Sequence, residues 1–233
     1  MSIPTSIGLI IPSANRLTEP QFNTYLPAGV GAFVTRLRMA GKFRKPLEEL
    51  KPQLVQAAEA LSDIKPNVIV FHCTANSMES GLAHEQAIVD IIEQASGCPT
   101  ITTAQALTQA FDRVGIKKMV LISPYVQATN QLEVNYLSET GYTVLHEKGL
   151  ALESTAYSTI TPEEWQKVVK ENLRADADGY FLSCTNTRMI EAVAALEKDL
   201  GKPVINSNQA TIWACLKKFG IKHSDPRLGR LFN

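Results

Sequence analysis

The chain contains an internal repeat in which a Cys-Thr pair stands twice between an apolar stretch and a helical one. The sequence HCTANSM around Cys73 corresponds to SCTNTRM around Cys184. A proline follows the first apolar run of each half, and it precedes the cysteine by 61 residues in one half (Pro12) and by 60 in the other (Pro124). Each half then reaches a Gly-x-Pro turn, at 97–99 and at 201–203. These matched anchors predict two similar lobes, formed by duplication, with a cleft between them.

Short apolar runs alternate with amphipathic stretches along the whole chain, which is typical of an α/β fold with parallel sheets covered on both faces. The predicted strands are 7–11, 32–37, 68–71, 100–102, 119–122, 143–145, 180–182 and 204–205. The predicted helices are 46–64, 84–96, 103–114, 127–140, 162–175, 188–200 and 208–219. Thr161 with Pro162 marks a helix start, and glycines mark helix ends at positions 97, 115, 141, 201 and 220.

The fold class predicted from this pattern is α/β, with two pseudo-symmetric Rossmann-like lobes. Each lobe contains a parallel four-stranded sheet, and the active site lies in the cleft between the lobes. The first lobe covers residues 1–115 and is completed by residues 207–233, because the last helix crosses back to it. The second lobe covers residues 116–206.

Charge and composition restrict the classes of partner that the protein is expected to bind. The 23 Lys and Arg residues balance the 23 Asp and Glu residues, and the chain has no long basic run, which argues against binding nucleic acid or an anionic membrane. No apolar run approaches a membrane span, and the first residues lack a basic export signal. We therefore expect a soluble, cytoplasmic protein with a small-molecule partner, whose neutral surface permits a homodimer.

The four cysteines are expected to be reduced in that compartment, and the repeat divides them into two groups. Cys73 and Cys184 both follow a strand and precede a helix, at the sheet edge where open α/β folds bind ligands. A helix N-terminus lowers the pKa of a thiol there, so one cysteine can act as nucleophile or base and the other as acid. Buried cysteines usually serve only to fill the core, but the duplicated sequence context favours a catalytic role for this pair. Cys98 and Cys215 are predicted to be structural.

The sequence lacks the motifs of a metal site, of a nucleotide cofactor and of a serine nucleophile. The sequence has no Cys-x-x-Cys and no His-x₃-His, so we expect no metal site. No Gly-x-Gly-x-x-Gly or P-loop follows a strand, so we expect no nucleotide cofactor, and no Gly-x-Ser-x-Gly indicates a serine nucleophile. His72 adjoins Cys73 but points to the opposite face of its strand, so we expect it to pack or bond locally.

Several polar residues occupy the same sheet edges. Asn15 and Tyr125 are neutral donors that could hold a carboxylate, although a turn residue and a buried ring are equally good interpretations. Asn76, Asn186 and Asn208 lie at helix starts and are candidates for caps, ligand contacts or both. Arg36 and Arg38 end the second strand and are more often solvated than in a cleft. The predicted substrate-binding residues are Asn15, Tyr125, Thr74, Ala75, Thr185, Asn186 and Asn208.

Specific motifs resemble those of maleate cis-trans isomerases: IGLIIPSAN at 7–15 with Thr18-Glu19, then RLRM at 36–39, Ser123-Pro124-Tyr125 and Gly229-Arg230-Leu231. These enzymes are grouped with arylmalonate decarboxylases and aspartate/glutamate racemases as two-lobed α/β proteins. The resemblance implies that Cys73 is the nucleophile, that Cys184 is its acid/base partner, and that Asn15 and Tyr125 contact substrate carboxylates. It also implies a cofactor-independent reaction in which a thiolate adds to maleate, the adduct rotates about a single bond, and elimination gives fumarate.

The chain departs from the isomerases at two places. They carry an apolar stretch after the first cysteine, where this chain has TANSM, and an Asn near residues 153–155, where this chain offers Ser154. Arylmalonate decarboxylases resemble the chain through Leu182-Ser183-Cys184 but typically lack the first cysteine. The alternatives to an isomerase are therefore an amino-acid or hydantoin-type racemase, an arylmalonate-type decarboxylase, and a non-catalytic carboxylate-binding protein.

Overall fold

A computed structural model describes residues 5–40 and 45–233, and the described part forms two parallel four-stranded sheets with the same strand order. The first sheet contains β1 (Thr5–Pro12), β2 (Val30–Leu37), β3 (Val68–Phe71) and β4 (Thr100–Thr102), in the order β2-β1-β3-β4. The second contains β5 (Lys118–Ser123), β6 (Thr143–Gly149), β7 (Gly179–Leu182) and β8 (Val204–Asn206), in the order β6-β5-β7-β8. The predicted fold class is confirmed.

Helices cover both faces of each sheet, which explains why the central strands are apolar throughout. The described α-helices are α1 (Thr18–Tyr25), α2 (Leu47–Ser62), α3 (Thr74–Ser77), α4 (Gly81–Ser96), α5 (Thr103–Val114), α6 (Gln127–Glu139), α7 (Pro162–Lys170), α8 (Val193–Leu200) and α9 (Ser207–Lys218). Short 3₁₀ helices cover Ser154–Ala156, Arg188–Ala192 and Pro226–Phe232. None of the described helices is both long and apolar enough to cross a membrane.

One hydrophobic core runs through both lobes. It joins β1 and β3 residues such as Leu9 and Val70 to β5 and β7 residues such as Leu121 and Phe181. Helices α5 and α9 pack against each other within it, and α9 also contacts α1. The last helix therefore packs on elements of the predicted first lobe. Two parts of the predicted first lobe, residues 1–4 and 41–44, lie outside the described residues. The first of them belongs to the N-terminal segment in which we expected no export signal.

Local sequence signals predicted several helix ends correctly. Thr161 and Glu164 form a reciprocal capping box at the start of α7, with Pro162 as its first residue. The five glycines predicted at helix ends all have positive φ, between 66° and 86°.

Several helices differ from the predictions. The short α3 was not predicted, and the helix predicted from residue 188 starts as a 3₁₀ helix, with α8 beginning at Val193. Helix α1 was missed because its sequence, TEPQFNTY, has no apolar stripe, and its inward face includes the buried polar residues Thr18 and Gln21. Helix α7 ends at Lys170 rather than at Ala175. The side chain of Asn172 donates to the carbonyl of Val168 there and competes with continuation of the helix.

The close approach of β7 to its neighbours gives a test of the packing. A β-carbon on Gly179 would lie 2.7 Å from the carbonyl oxygen of Pro203 and 2.6 Å from Cδ1 of Ile116. We expect Gly179→Ala to lower the free energy of unfolding by about 1–3 kcal/mol through overpacking. Gly97→Ala is the control, because a β-carbon there meets nothing within 4 Å and only the positive φ is penalised. Urea denaturation of both variants measures this, and equal stability of Gly179→Ala and wild type would contradict the packing described.

Candidate active site

The two repeated cysteines lie at corresponding ends of strands in the two sheets. Cys73 lies two residues after β3 and Cys184 lies two residues after β7, so both are beyond the carboxyl ends of strands that pair with the first strand of their lobe. Asn15 follows β1 in the first lobe, and Tyr125 follows β5 in the second. The structure therefore brings four of the predicted site residues to the facing edges of the two sheets.

Ser207 connects the two cysteine loops directly. Its hydroxyl oxygen accepts a hydrogen bond from Thr74 Oγ1 at 2.9 Å and one from the backbone N–H of Cys184 at 3.2 Å. Ser207 is the first residue of α9 and is fully buried. The sequence prediction missed this residue, although the repeat offered a signal, since Ser207 corresponds to the buried Thr103 at the start of α5.

Cys73 is buried and its thiol has a fixed neighbour. The sulfur donates to Asn76 Oδ1 at 3.0 Å, and Asn76 Nδ2 in turn donates to the carbonyl of Met39 at 3.0 Å. Asn76 therefore orients the thiol instead of capping a helix. The helix that follows, α3, has only four residues, and the long helix of this half, α4, begins at Gly81.

Cys184 occupies an unusual backbone conformation. Its φ is +145°, a region that residues other than glycine rarely adopt and that costs of the order of 1–3 kcal/mol. The backbone N–H of Asn186 donates to its sulfur at 3.3 Å. A loop and a 3₁₀ helix, rather than an α-helix, follow this cysteine.

The expectation of a lowered thiol pKa is wrong for Cys184. Burial raises its pKa to about 12, and this effect outweighs the hydrogen bonds from the Tyr125 hydroxyl and from the Asn186 N–H, which lower the pKa. The side chain is only 4% exposed, so its charged form would lose almost all hydration. Cys184 is accordingly a neutral thiol at neutral pH, which suits a proton donor.

Tyr125 and Tyr157 complete the surroundings of the thiols. Burial raises the pKa of Tyr125 well above its usual value, and the negative charge of an ionised Cys184 or Cys73 raises it further. Burial also raises the pKa of Tyr157, and the negative charges of Cys184, Glu153, Cys73 and Glu133 raise it further. The two rings meet edge to face, with centroids 5.6 Å apart. The sequence prediction missed Tyr157, which lies in an irregular segment.

Backbone hydrogen bonds explain how Tyr157 reaches the site. The chain after β6 runs beside the Tyr125 loop, where Leu150 N donates to the Ser123 carbonyl at 3.1 Å and Leu152 N donates to the Pro124 carbonyl at 2.9 Å. Ser154, expected to replace an amide of the isomerases, lies in the short 3₁₀ helix of this segment.

Asn15 is held by protein contacts. Its Nδ2 donates to the carbonyl and the hydroxyl oxygen of Thr185, at 3.2 and 3.1 Å, and its Oδ1 accepts from the N–H groups of Leu17 and Thr18. Arg36 fixes the same loop from outside by donating to the carbonyls of Ser13 and Asn15. Arg36, although exposed, therefore supports the loop, and Arg38 is exposed as well.

Of the remaining predicted substrate-binding residues, some lie beside the cysteines and one is enclosed by protein groups. Thr74, Thr185 and Asn186 are buried beside the cysteines, and Ala75 is half-buried. Asn186 Oδ1 accepts from the N–H of Arg16 at 2.8 Å. Asn208 is fully buried, and both of its amide atoms bond to protein groups, so the geometry gives no support to a substrate contact at this residue. The helix cap expected at Asn208 is instead Asn206.

His72 is part of the core beside the site, as the alternation of the strand predicted. Its Nε2 lies 2.8 Å from Asn208 Oδ1 and its Nδ1 lies 3.0 Å from Thr103 Oγ1. Burial lowers its pKa to about 4. The residue is therefore a neutral hydrogen-bonding group, and its ring also packs edge to face on Phe22.

All four cysteines are present as thiols. Cys215 is fully buried in the core and Cys98 lies half-buried next to a turn, as expected of structural residues. Among residues 5–40 and 45–233, no group of three or more His, Cys, Asp or Glu side chains could hold a metal ion.

The fold defines a class of two-lobed α/β proteins with facing sheet edges, and in this chain each edge carries a cysteine. Residues 7–232 match the family model described as arylmalonate decarboxylase. The chain belongs to this family, which confirms the resemblance inferred from its motifs.

Similar proteins carry two different activities. A maleate isomerase of Pseudomonas putida is 27% identical over 241 residues, covering 97% of this chain and 96% of that protein. An arylmalonate decarboxylase of Bordetella bronchiseptica is 24% identical over 238 residues, covering 100% of this chain and 98% of that protein. The relatives are thus enzymes of a single family that differ in reaction.

Solved structures share the fold. The maleate isomerase of Pseudomonas putida S16 superposes with a TM-score of 0.89 at 23% identity, covering 98% of both chains. A Nocardia farcinica maleate cis-trans isomerase, with one cysteine replaced by serine, superposes with a TM-score of 0.88 at 21% identity, covering 98% of both chains. That protein contains a covalently bound succinylcysteine intermediate.

The buried His72 predicts an acid-sensitive fold. Because its pKa is about 4 in the folded protein, against an ordinary value of 6.5 for an exposed histidine, the unfolded chain binds the proton first as pH falls. We expect the contribution of His72 to be fully present above pH 6.5 and to be lost towards pH 4, by up to about 3 kcal/mol. Urea denaturation at a series of pH values should show a flatter profile for His72→Gln than for wild type. His84→Gln is the control, and an unchanged profile in His72→Gln would refute this assignment.

The hydrogen bond from Tyr125 to Cys184 gives a second test. Tyr125→Phe removes a donor that lowers the pKa of Cys184, so its thiolate becomes rarer at any given pH. Alkylation of Cys184 by iodoacetamide at about pH 9, mapped by peptide mass spectrometry, should therefore slow several-fold, on the order of one pKa unit. Tyr157→Phe serves as the control because it removes the other phenol of the site. Faster alkylation in Tyr125→Phe would contradict the hydrogen bond described.

Proposed function

We propose that the protein is a cofactor-independent maleate-type cis-trans isomerase in which Cys73 is the nucleophile and Cys184 is the acid/base partner. The observation that carries the proposal is the presence of two thiols in one buried cluster, with the pKa of one of them raised to about 12. A reaction that adds one sulfur to an alkene and protonates the neighbouring carbon needs both groups, and the second must be protonated when the first attacks.

Once the Cys73 thiol has released its proton to water, the steps balance without a further reactant. The Cys73 thiolate forms a C–S bond to one alkene carbon of maleate, and the π electrons move to the neighbouring carbon and its carboxylate. The Cys184 thiol protonates that carbon, giving a succinyl thioether on Cys73. Rotation about the new single bond is followed by return of the proton to Cys184. Breaking the C–S bond then re-forms the alkene as fumarate and restores the Cys73 thiolate.

The carboxylates of the substrate need donors that bring no positive charge. Tyr125, whose hydroxyl already lies at Cys184, is one such donor. The loops that follow the two cysteines supply backbone N–H groups, with Thr74 and Ala75 in one loop and Thr185 in the other. The N–H of Asn186 is already bonded to the sulfur of Cys184. Asn15 contributes here through the loop it holds, because its amide is bonded to Thr185.

The presence of Cys73 favours an isomerase over a decarboxylase of this family. A decarboxylation needs only one thiol to protonate the product, and arylmalonate decarboxylases typically lack the first cysteine. Two features of the relatives support the same choice. The Pseudomonas putida maleate isomerase is 27% identical to the chain, against 24% for the Bordetella bronchiseptica decarboxylase, and a maleate cis-trans isomerase variant of the same fold contains a succinylcysteine.

Proton NMR of the protein incubated with maleate tests the proposal, because the fumarate signal is separate. We expect wild type to convert maleate to fumarate, and Cys73→Ala and Cys184→Ala each to lower kcat by about 10²–10⁴-fold. Cys98→Ala and Cys215→Ala are the matched controls and should remain active.

The other outcomes each exclude the proposal. Deuterium exchange at the α-carbon of an amino acid, without maleate conversion, indicates a racemase. Carbon dioxide released from an arylmalonate, without maleate conversion, indicates a decarboxylase. Binding of small dicarboxylates with no turnover of these compounds indicates a carboxylate-binding protein.

A further inference from the structure

The loop that follows Cys184 is held by side chains of the opposite lobe. The carbonyl oxygen of Thr185 accepts three hydrogen bonds: from Asn15 Nδ2 at 3.2 Å, from Thr18 Oγ1 at 3.2 Å and from Asn208 Nδ2 at 3.1 Å. A carbonyl oxygen has two lone pairs, so three donors on one oxygen exceed what an ordinary loop carbonyl receives. This concentration of donors fixes the peptide immediately after the cysteine.

The same set of side chains extends to another carbonyl of the loop and into the core of the first lobe. Gln21 Nε2 donates to the carbonyl of Thr187 at 2.9 Å, and Gln21 Oε1 accepts from Asn208 Nδ2. Asn208 Oδ1 is bonded to His72. Thr18 and Asn208 are fully buried and Gln21 nearly so, which leaves these groups no water to exchange with.

The backbone of Cys184 requires such support. A φ of +145° is unfavourable for a residue with a side chain and persists only where the surroundings determine it. Here the N–H of Cys184 is bonded to Ser207 and the carbonyl of the following residue to the three donors. The strained residue is thus fixed on both sides by groups of α1, α9 and the β1–α1 loop.

We propose that Thr18, Gln21 and Asn208 are positioning residues that hold the thiol of Cys184 in place across the lobe boundary. They act through the backbone of residues 185–187 and do not touch the substrate. The kinetic part of the inference rests on the proposed function, in which Cys184 transfers the proton. Loss of this support should therefore slow proton transfer without weakening the binding of maleate.

Thr18→Val is the sharpest variant, because it removes one hydroxyl donor and keeps the volume of the side chain. Thr18→Ser keeps the hydroxyl and removes a methyl group, so it tests for rescue. Thr108→Val is the control for loss of a hydroxyl bonded within a helix, since Thr108 Oγ1 donates to the carbonyl of Gln105 at 3.1 Å, inside α5.

The first measurement needs no substrate. Alkylation of each cysteine by iodoacetamide is followed by peptide mass spectrometry, with Cys98 as the internal reference. We expect Thr18→Val to raise the alkylation rate at Cys184 several-fold, because the loss of a buried hydrogen bond lets the loop open more often. Thr18→Ser and Thr108→Val should leave the rate unchanged. An unchanged rate in Thr18→Val, or an equal rise in all three variants, overturns the proposal.

The second measurement is the steady-state isomerisation of maleate. Thr18→Val should lower kcat by about tenfold with KM unchanged, because a small displacement of the proton donor affects the transition state and not substrate binding. A rise in KM with kcat unchanged overturns the positioning role. If wild type does not isomerise maleate, the proposed function fails, and the alkylation result alone decides the positioning of Cys184.

Discussion

The hydrogen bonds that join the Cys184 loop to the first lobe determine the rest of the site. They connect a carbonyl and an N–H of the second lobe to α1, α9 and the β1–α1 loop, so the two sheet edges face each other at a fixed separation. Ser207 extends the connection to the Cys73 loop through Thr74. Because these groups are buried, leaving any one of them without its partner would cost more than an exposed hydrogen bond. The position of each thiol is therefore a property of both lobes.

The duplication supplies two equivalent cysteines, and their surroundings make them different. Cys73 donates to an asparagine that is itself anchored to Met39. Cys184 has a strained backbone, receives hydrogen bonds from Tyr125 and Asn186, and has a pKa raised by burial. The preceding residues differ in the same way, since His72 bonds into the first lobe and Ser183 donates to the buried Glu133. A symmetric fold thus gives an asymmetric pair, as a nucleophile and a proton donor require.

The repeat and the apolar periodicity were sufficient to predict both sheets, most helices and the two cysteines, because these depend on local pattern and on spacing. What could not be predicted depends on contacts between distant segments. Helix α1 lacks an apolar face because Thr18 and Gln21 bond to the Cys184 loop, more than 160 residues away. Tyr157 reaches the site through an irregular segment, and Asn208 is bonded to protein groups that the sequence does not bring near it. The pKa of Cys184 was predicted in the wrong direction because burial, which sequence does not report, outweighs the nearby donors.

The central claim is that Cys73 forms the bond to the substrate and Cys184 moves the proton. Peptide-mapped mass spectrometry of Cys184→Ser incubated with maleate tests it most directly. That variant retains the nucleophile, its adduct can take a proton slowly from water, and it lacks the thiolate that would remove that proton again. The account predicts a succinyl adduct on Cys73 that persists after removal of maleate, with none on Cys98 or Cys215. Turnover by Cys184→Ser at the wild-type rate, or an adduct on another cysteine in place of Cys73, would contradict it.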